Sequence, residues 1–143
     1  MLFQIRQLEK EDYNKKYLLL LKQLSIIDEN KITKNNFDLF VNNLNENNQI
    51  YVIEKNNQII GSITLIIENK IIHNFGKVCH IEDVVIDKNT RGLGLGRKLL
   101  DFAKEYSKKN NCYKIILNCS EKNIRFYEKC GFEKKEVEMV MYI

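Results

Sequence analysis

An α/β domain built on one mixed sheet is the fold this sequence predicts. Three observations carry the prediction. Period-two and wholly apolar runs alternate with helical stripes in the order β-α-α-β-β-β-α-β-α-β. A glycine-rich hexapeptide, Arg91-Gly92-Leu93-Gly94-Leu95-Gly96, joins a buried-strand run to an amphipathic helix. A chain of 143 residues is long enough for one core, and residues 1–143 read as a single domain without repeats or a linker.

The elements follow in order. Leu2 to Leu8 reads as a short strand, with Phe3 and Ile5 on the face opposite Gln4 and Arg6. Asp12 to Leu24 reads as a helix, with Tyr13, Tyr17, Leu20, Leu21 and Leu24 along one side. Thr33 can cap a second helix whose apolar face carries Phe37, Phe40 and Leu44. Gln49 to Glu54 alternates as a strand. Asn56-Asn57 then suits a tight hairpin, because asparagine tolerates left-handed backbone. Gln58 to Glu68 is the return strand, with Gly61 a candidate bulge. Ile81 to Ile86 is an apolar strand, and Arg97 to Lys109 a helix with Leu99, Phe102, Ala103 and Tyr106 inside. Tyr113 to Cys119 is another buried strand. Asn123 to Cys130 is a short helix, with Gly131 where a left-handed cap is wanted. Phe132 to Ile143 reads as a last strand, with Val137, Met139 and Met141 alternating.

Composition narrows the function classes. Charged residues are 29% of the chain and the net charge is +4, with the lysines dispersed, so no nucleic-acid arm is expected. No apolar run approaches the ~20 residues of a membrane span, and no signal-peptide layout opens the chain. A cytoplasmic protein is the expectation. Cys79, Cys112, Cys119 and Cys130 form no Cys-x-x-Cys pair and share no ligand spacing with the two histidines. Free thiols and no metal are expected, with Cys119 and Cys130 as buried packing residues.

The hexapeptide supplies chemistry. Glycines let a row of backbone N–H groups approach an anion at a helix N-terminus. Around it lie His80-Ile81-Glu82-Asp83-Val84-Val85 on the preceding strand, Asn118 at the end of the next, and Asn123-x-x-x-Tyr127 on the short helix. Asn123 and Tyr127 share one helix face. Glu82 and Asp83, as strand neighbours, point to opposite faces, which favours Glu82 for chemistry.

The spacing Arg-x-x-Gly-x-Gly resembles the pyrophosphate loop of the GNAT N-acetyltransferases. Lys70-Ile71-Ile72-His73 and His80-Ile81-Glu82-Asp83, with Asn111 to Ile115 and Asn123 to Phe132, resemble the glucosamine-6-phosphate N-acetyltransferase branch. The resemblance covers nearly the whole chain. It implies the GNAT fold, a central, mostly antiparallel mixed sheet splayed at the acetyl-CoA strand and flanked by helices. It implies acetyl-CoA as co-substrate. The backbone of Val84, Val85 and Ile86 would pair with the pantetheine arm, and the amides of Arg91, Gly92, Leu93, Gly94, Leu95 and Gly96 would hold the pyrophosphate. Asn123 and Tyr127 would sit near the thioester. Glu82 and Asp83 would grip the amino sugar, and Ser25, Lys70 and His73 would reach the sugar and its phosphate. It also implies a homodimer whose subunits share the substrate site.

Physical chemistry points the same way. Acetyl transfer needs a neutral amine, a polarised carbonyl and a proton donor for the thiolate. Tyr127 suits the donor, and a cofactor-strand amide, that of Val85, suits the carbonyl. Two features depart from the family. Asn118 stands where an acidic residue is usual, and an amide takes no proton. The base is then Glu82, His80 or a water held by Asn118. The tail Val140-Met141-Tyr142-Ile143 lacks the family's basic residue. Two rivals keep the fold: acetylation of a peptide or polyamine amine, and acyl-CoA binding without turnover.

Overall fold

The computed structural model describes residues 3–143; Leu2 of the expected first strand lies outside them. Five strands form one sheet in the order β1-β2-β3-β4-β5: β1 Ile5–Gln7, β2 Asn48–Lys55, β3 Gln58–Asn69, β4 Lys77–Ile86 and β5 Cys112–Leu117. Each of the first four is antiparallel to its neighbour, and β5 joins β4 in parallel. The helices are α1 Tyr17–Leu21, α2 Lys34–Asn43, α4 Leu95–Lys109 and α5 Ile124–Lys129, with α3 Ile72–Phe75 a single turn in which His73, Asn74 and Phe75 are left-handed.

Alternation along the strands assigns the two faces. On β2, Val52 points to the α1/α2 side with Leu8, Tyr17, Leu20 and Phe37, while Ile53 points to the α4 side with Ile63, Leu65, Leu99 and Ala103. Both layers are apolar because both sheet faces are covered. Arg6 and Asp12 tie the first layer down. Asp12 is fully buried, takes both guanidinium nitrogens of Arg6 at 2.9 and 2.8 Å, and caps the Glu9 amide at 2.9 Å. Glu54 and Lys15 complete the network.

Three expectations are corrected. The helix Asp12–Leu24 is a 3-10 turn, Lys10–Asn14, followed by α1. The Lys15 carbonyl accepts from the Ile59 amide of β3 at 2.9 Å, which draws the chain out of the helix, and Lys16 is left-handed at φ 61. The bulge near Gly61 falls at Ile60, since Gly61 itself pairs with Ile53. The strand Phe132–Ile143 does not form. Among the described residues it pairs with no strand, and Val137, Met139, Met141 and Tyr142 are exposed.

Burial holds two phenols neutral. It pushes the Tyr17 pKa up to about 12, with Asp83 and Asp12 adding to the effect and a 3.0 Å hydrogen bond with Ser62 opposing it. Burial, then Tyr51, does the same to Tyr106. Both folded values lie above the ordinary one, so this stability is whole below pH 10 and is lost as pH climbs from 10 towards 12. For Tyr17 alone the loss is on the order of 3 kcal/mol. The melting temperature is expected to fall steeply across that window, and Tyr17→Phe should flatten the fall.

Candidate active site

The site begins where β4 and β5 part. Their parallel pairing runs as far as Ile81 opposite Leu117, where β5 ends. β4 continues to Ile86, so its edge from Glu82 onward has no strand beside it. An unpaired strand edge is a row of free donors and acceptors. The ladder on the other side says which. The Asp87 amide donates to the Ile60 carbonyl at 2.8 Å. By alternation the Val85 amide is turned to β3, and those of Val84 and Ile86 face the opened edge. The Val85 amide, expected to face the cofactor, is thus turned into the sheet, and the amide free at this point of the edge is that of Val84.

A cleft of about 280 Å³ occupies the gap. It brings together Glu82, Asp83 and Val84 of β4, Asn118 and Cys119 beyond β5, and Asn123 and Tyr127 at α5. The expectation that Glu82 and Asp83 diverge is overturned by a bulge. Asp83 and Val84 together oppose Ile63, and Asp83 takes φ 50, which breaks the simple alternation and lets both Glu82 and Asp83 line the cleft. Cys119, expected to be buried, is exposed and lines it; Cys130 is buried as expected.

Tyr127 is held by aromatic contacts. Its ring lies edge-on to Phe126 at 5.1 Å and to Phe132 at 6.0 Å. Burial raises its pKa, and Cys119 and Cys130 add to the effect, so the phenol keeps its proton throughout the neutral range. His80 donates from Nε2 to the Glu68 carboxylate at 2.9 Å and is not among the residues lining the cleft, which disfavours it as a base there.

The glycine loop lies beyond the same edge of β4. Gly92 and Gly94 have φ of 87 and 70, and a Cβ at either would meet nothing within 4 Å. Gly94 caps α4, whose first intrahelical bond is Lys98 N–H to the Gly94 carbonyl, so the amides before Lys98 precede the ladder. A 15-residue helix thus points its positive end at an open glycine turn. Gly96 does a different job: a Cβ there would lie 3.1 Å from the Phe126 ring, so its absence lets α4 and α5 close up.

Two expected substrate contacts lie elsewhere. Lys70 and His73 flank the start of β4 near Lys77, five residues or roughly 17 Å from Glu82 at the usual strand rise. Lys70 is engaged by Glu68 at 3.3 Å. His73 stacks on Tyr113 at 4.2 Å, and the Lys114 ammonium lies 5.7 Å from the same ring. Tyr113 and Lys114 lie in the Asn111 to Ile115 stretch that carries the resemblance but have no role assigned in the sequence; the parallel register of β5 sets them beside His73. Ser25 lies across Asp83 from the cleft, in a larger cavity. Among the described residues, no group of His, Cys, Asp and Glu is placed to hold a metal ion, and no helix is long and apolar enough to cross a membrane.

A strand edge opened beside a glycine turn at a helix N-terminus is the arrangement of one acyltransferase family, and residues 2–132 match the model of the Acetyltransferase (GNAT) family. The chain belongs to that family. This GNAT is 41% identical to glucosamine 6-phosphate N-acetyltransferase 1 of Dictyostelium discoideum, over 96% of the chain and 89% of the relative. It is 39% identical to the glucosamine 6-phosphate N-acetyltransferase of Arabidopsis thaliana, over 98% and 96%. The crystal structure of the glucosamine-6-phosphate N-acetyltransferase from Arabidopsis thaliana superposes on this GNAT with a TM-score of 0.93 at 38% identity, covering 99% of each chain. The expected fold is the observed one, apart from the last strand.

Proposed function

We propose that this GNAT, with residues 1–143 as one catalytic domain, transfers acetyl from acetyl-CoA to the amine of D-glucosamine 6-phosphate. The observation that carries the proposal is the cleft: two carboxylates, an amide and a protonated phenol face one opened strand edge. Its full-length likeness to named sugar-phosphate acetyltransferases supplies the acceptor. The product, N-acetyl-D-glucosamine 6-phosphate, serves UDP-N-acetylglucosamine synthesis in the cytoplasm.

The roles follow from the geometry. Pantetheine pairs with the free edge of β4, as an added strand does. The amides from Arg91 to Gly96 hold the pyrophosphate. The Val84 amide polarises the thioester carbonyl. Glu82 and Asp83 bind the ammonium, and Glu82, or a water on Asn118, takes its proton. The amine attacks the thioester directly, the C–S bond breaks, and Tyr127 supports the departing thiolate. Cys119 does not serve as an acyl carrier, since no histidine lines the cleft to activate it.

A homodimer accounts for two further observations. Glu82 and the His73–Tyr113–Lys114 group are too far apart in one chain for a single hexose phosphate to bridge. The exposed apolar alternation from Val137 to Ile143 has no partner among the described residues. A second copy whose His73 and Lys114 approach this Glu82 resolves the first, and pairing of the tail with it resolves the second.

The test is release of free coenzyme A from acetyl-CoA, by thiol titration, with glucosamine 6-phosphate, glucosamine, spermidine and a peptide N-terminus. Release with the phosphorylated sugar alone, from a species of twice the 17.0 kDa chain mass, is expected. Release only with spermidine or the peptide would overturn the acceptor. Silence with acetyl-CoA bound would overturn catalysis.

A further inference from the structure

Gln23 follows α1, on a stretch tied to the sheet side of the molecule at one point. Among the described residues, the hydrogen bonds and ion pairs of residues 22–31 stay within residues 18–36, apart from two. Both belong to the Gln23 side chain. Its Nε2 donates to Asp87 Oδ1 at 3.1 Å, and its Oε1 accepts from the Lys88 amide at 2.9 Å. A carboxylate only accepts and a backbone amide only donates, so the Gln23 amide group has one orientation. The residue is exposed, and core packing does not depend on it.

Each side of this link leads to a different part of the site. Next to Gln23, Leu24 lines the cleft with Glu82, Asp83 and Tyr127. Opposite it, Asp87 closes a tight turn. Its carboxylate accepts from the Asn89 amide at 3.2 Å, and its carbonyl accepts from the Thr90 amide and hydroxyl, each at 2.9 Å. The glycine loop, Arg91 to Gly96, starts directly after Thr90. A Cβ at Gly92 or Gly94 would meet nothing within 4 Å. The loop therefore takes its placement from its ends, the turn Lys88–Thr90 before it and α4 after it.

We infer that Gln23 is a positioning residue for both substrates. Through Asp87 and Lys88 it sets the glycine loop for the cofactor pyrophosphate. Through Leu24 it sets the acceptor wall of the cleft. The inference rests on the cofactor and acceptor roles proposed above and adds to them a residue outside the cleft. No bond is made or broken at Gln23, so its loss acts on binding and leaves turnover at saturation nearly intact. A hydrogen bond of ordinary net strength is worth roughly two- to tenfold in an equilibrium, which sets the size of the effect.

The experiment compares four full-length proteins: the unaltered chain, Gln23→Ala, Gln23→Glu, and Gln23→Glu combined with Asp87→Asn. Calorimetric titration with coenzyme A reads Kd. Coenzyme A release from acetyl-CoA reads kcat and KM for glucosamine 6-phosphate. Gln23→Ala leaves the charge unchanged. It should weaken coenzyme A binding about three- to tenfold and raise KM for the sugar phosphate severalfold, with kcat and melting temperature nearly unmoved. Gln23→Glu sets two carboxylates side by side and should weaken binding further. In the double variant the asparagine Nδ2 donates to the new carboxylate, whose other oxygen still accepts from the Lys88 amide. Kd and KM should then return to within about twofold of the original values, a rescue that a general loss of stability would not show. Unchanged Kd and KM in Gln23→Ala, or a double variant no better than Gln23→Glu, would overturn the inference. An unaltered chain that binds no coenzyme A removes the cofactor reading, and the inference with it. Weakened coenzyme A binding in Gln23→Ala, in a protein that turns over no sugar phosphate, supports the link to the loop and removes the acceptor assignment alone.

Discussion

Tyr127→Phe is expected to lower kcat for acetyl transfer roughly a hundredfold or more, the usual cost of removing a positioned hydrogen-bond donor from developing charge. KM for acetyl-CoA should change little, because the proposed cofactor contacts are the backbone of β4 and of the glycine loop. Phe fills the same space, and the edge-on contacts with Phe126 and Phe132 survive. What disappears is one O–H at the place where the thiolate forms. Burial raises the phenol's pKa above its ordinary value of 10, whereas a thiol sits near 8.5. Full proton transfer from Tyr127 is therefore uphill. Its main service is a hydrogen bond to charge developing on sulfur, with solvent supplying the final proton. The sign of the pH dependence follows. The donor form is lost only above pH 10, so an alkaline limb below that belongs to another group. Steady-state kinetics by thiol titration read both constants, and an unchanged kcat would remove Tyr127 from the mechanism.

Much of this site was legible in the sequence because its parts are local. The glycine turn, Glu82-Asp83 and Asn123-x-x-x-Tyr127 each declare themselves within a few residues, and the strand–turn–helix context joins them. The rest depends on register, which a single sequence does not display. The bulge at Asp83 exists because two residues of β4 oppose one of β3. The separation of His73 from Glu82 follows from where the β3–β4 turn falls, and the grouping of His73 with Tyr113 follows from the parallel pairing of β5. The break in the first helix comes from a β3 amide, Ile59, claiming the Lys15 carbonyl. The last strand was read from its period alone, and a period names no partner: among the described residues Val137 to Ile143 pair with nothing. Arg6 and Asp12 looked like ordinary polar positions until Asp12 proved to be buried.

Gly94→Val is expected to raise KM for acetyl-CoA at least tenfold while kcat at saturation stays within about twofold, the pattern of a lost binding contact. Gly94 has φ 70 and ψ 22, a left-handed conformation that costs an L-residue ~1–2 kcal/mol and is worst for a β-branched one. The penalty is one of backbone alone, since no atom lies within 4 Å of the added Cβ. The loop can therefore escape strain by rotating outward, and the rotation carries its amides away from the pyrophosphate. Melting temperature should scarcely move. Gly94→Asn separates conformation from size: asparagine tolerates left-handed backbone, so KM should return most of the way to the original value. Gly96→Val should behave in the opposite manner. Its Cβ meets the Phe126 ring at 3.1 Å, and relieving that contact shifts α5 and with it Tyr127, so stability and kcat should both fall. Equal KM values for Gly94→Val and the unaltered chain would mean that these amides do not hold the cofactor.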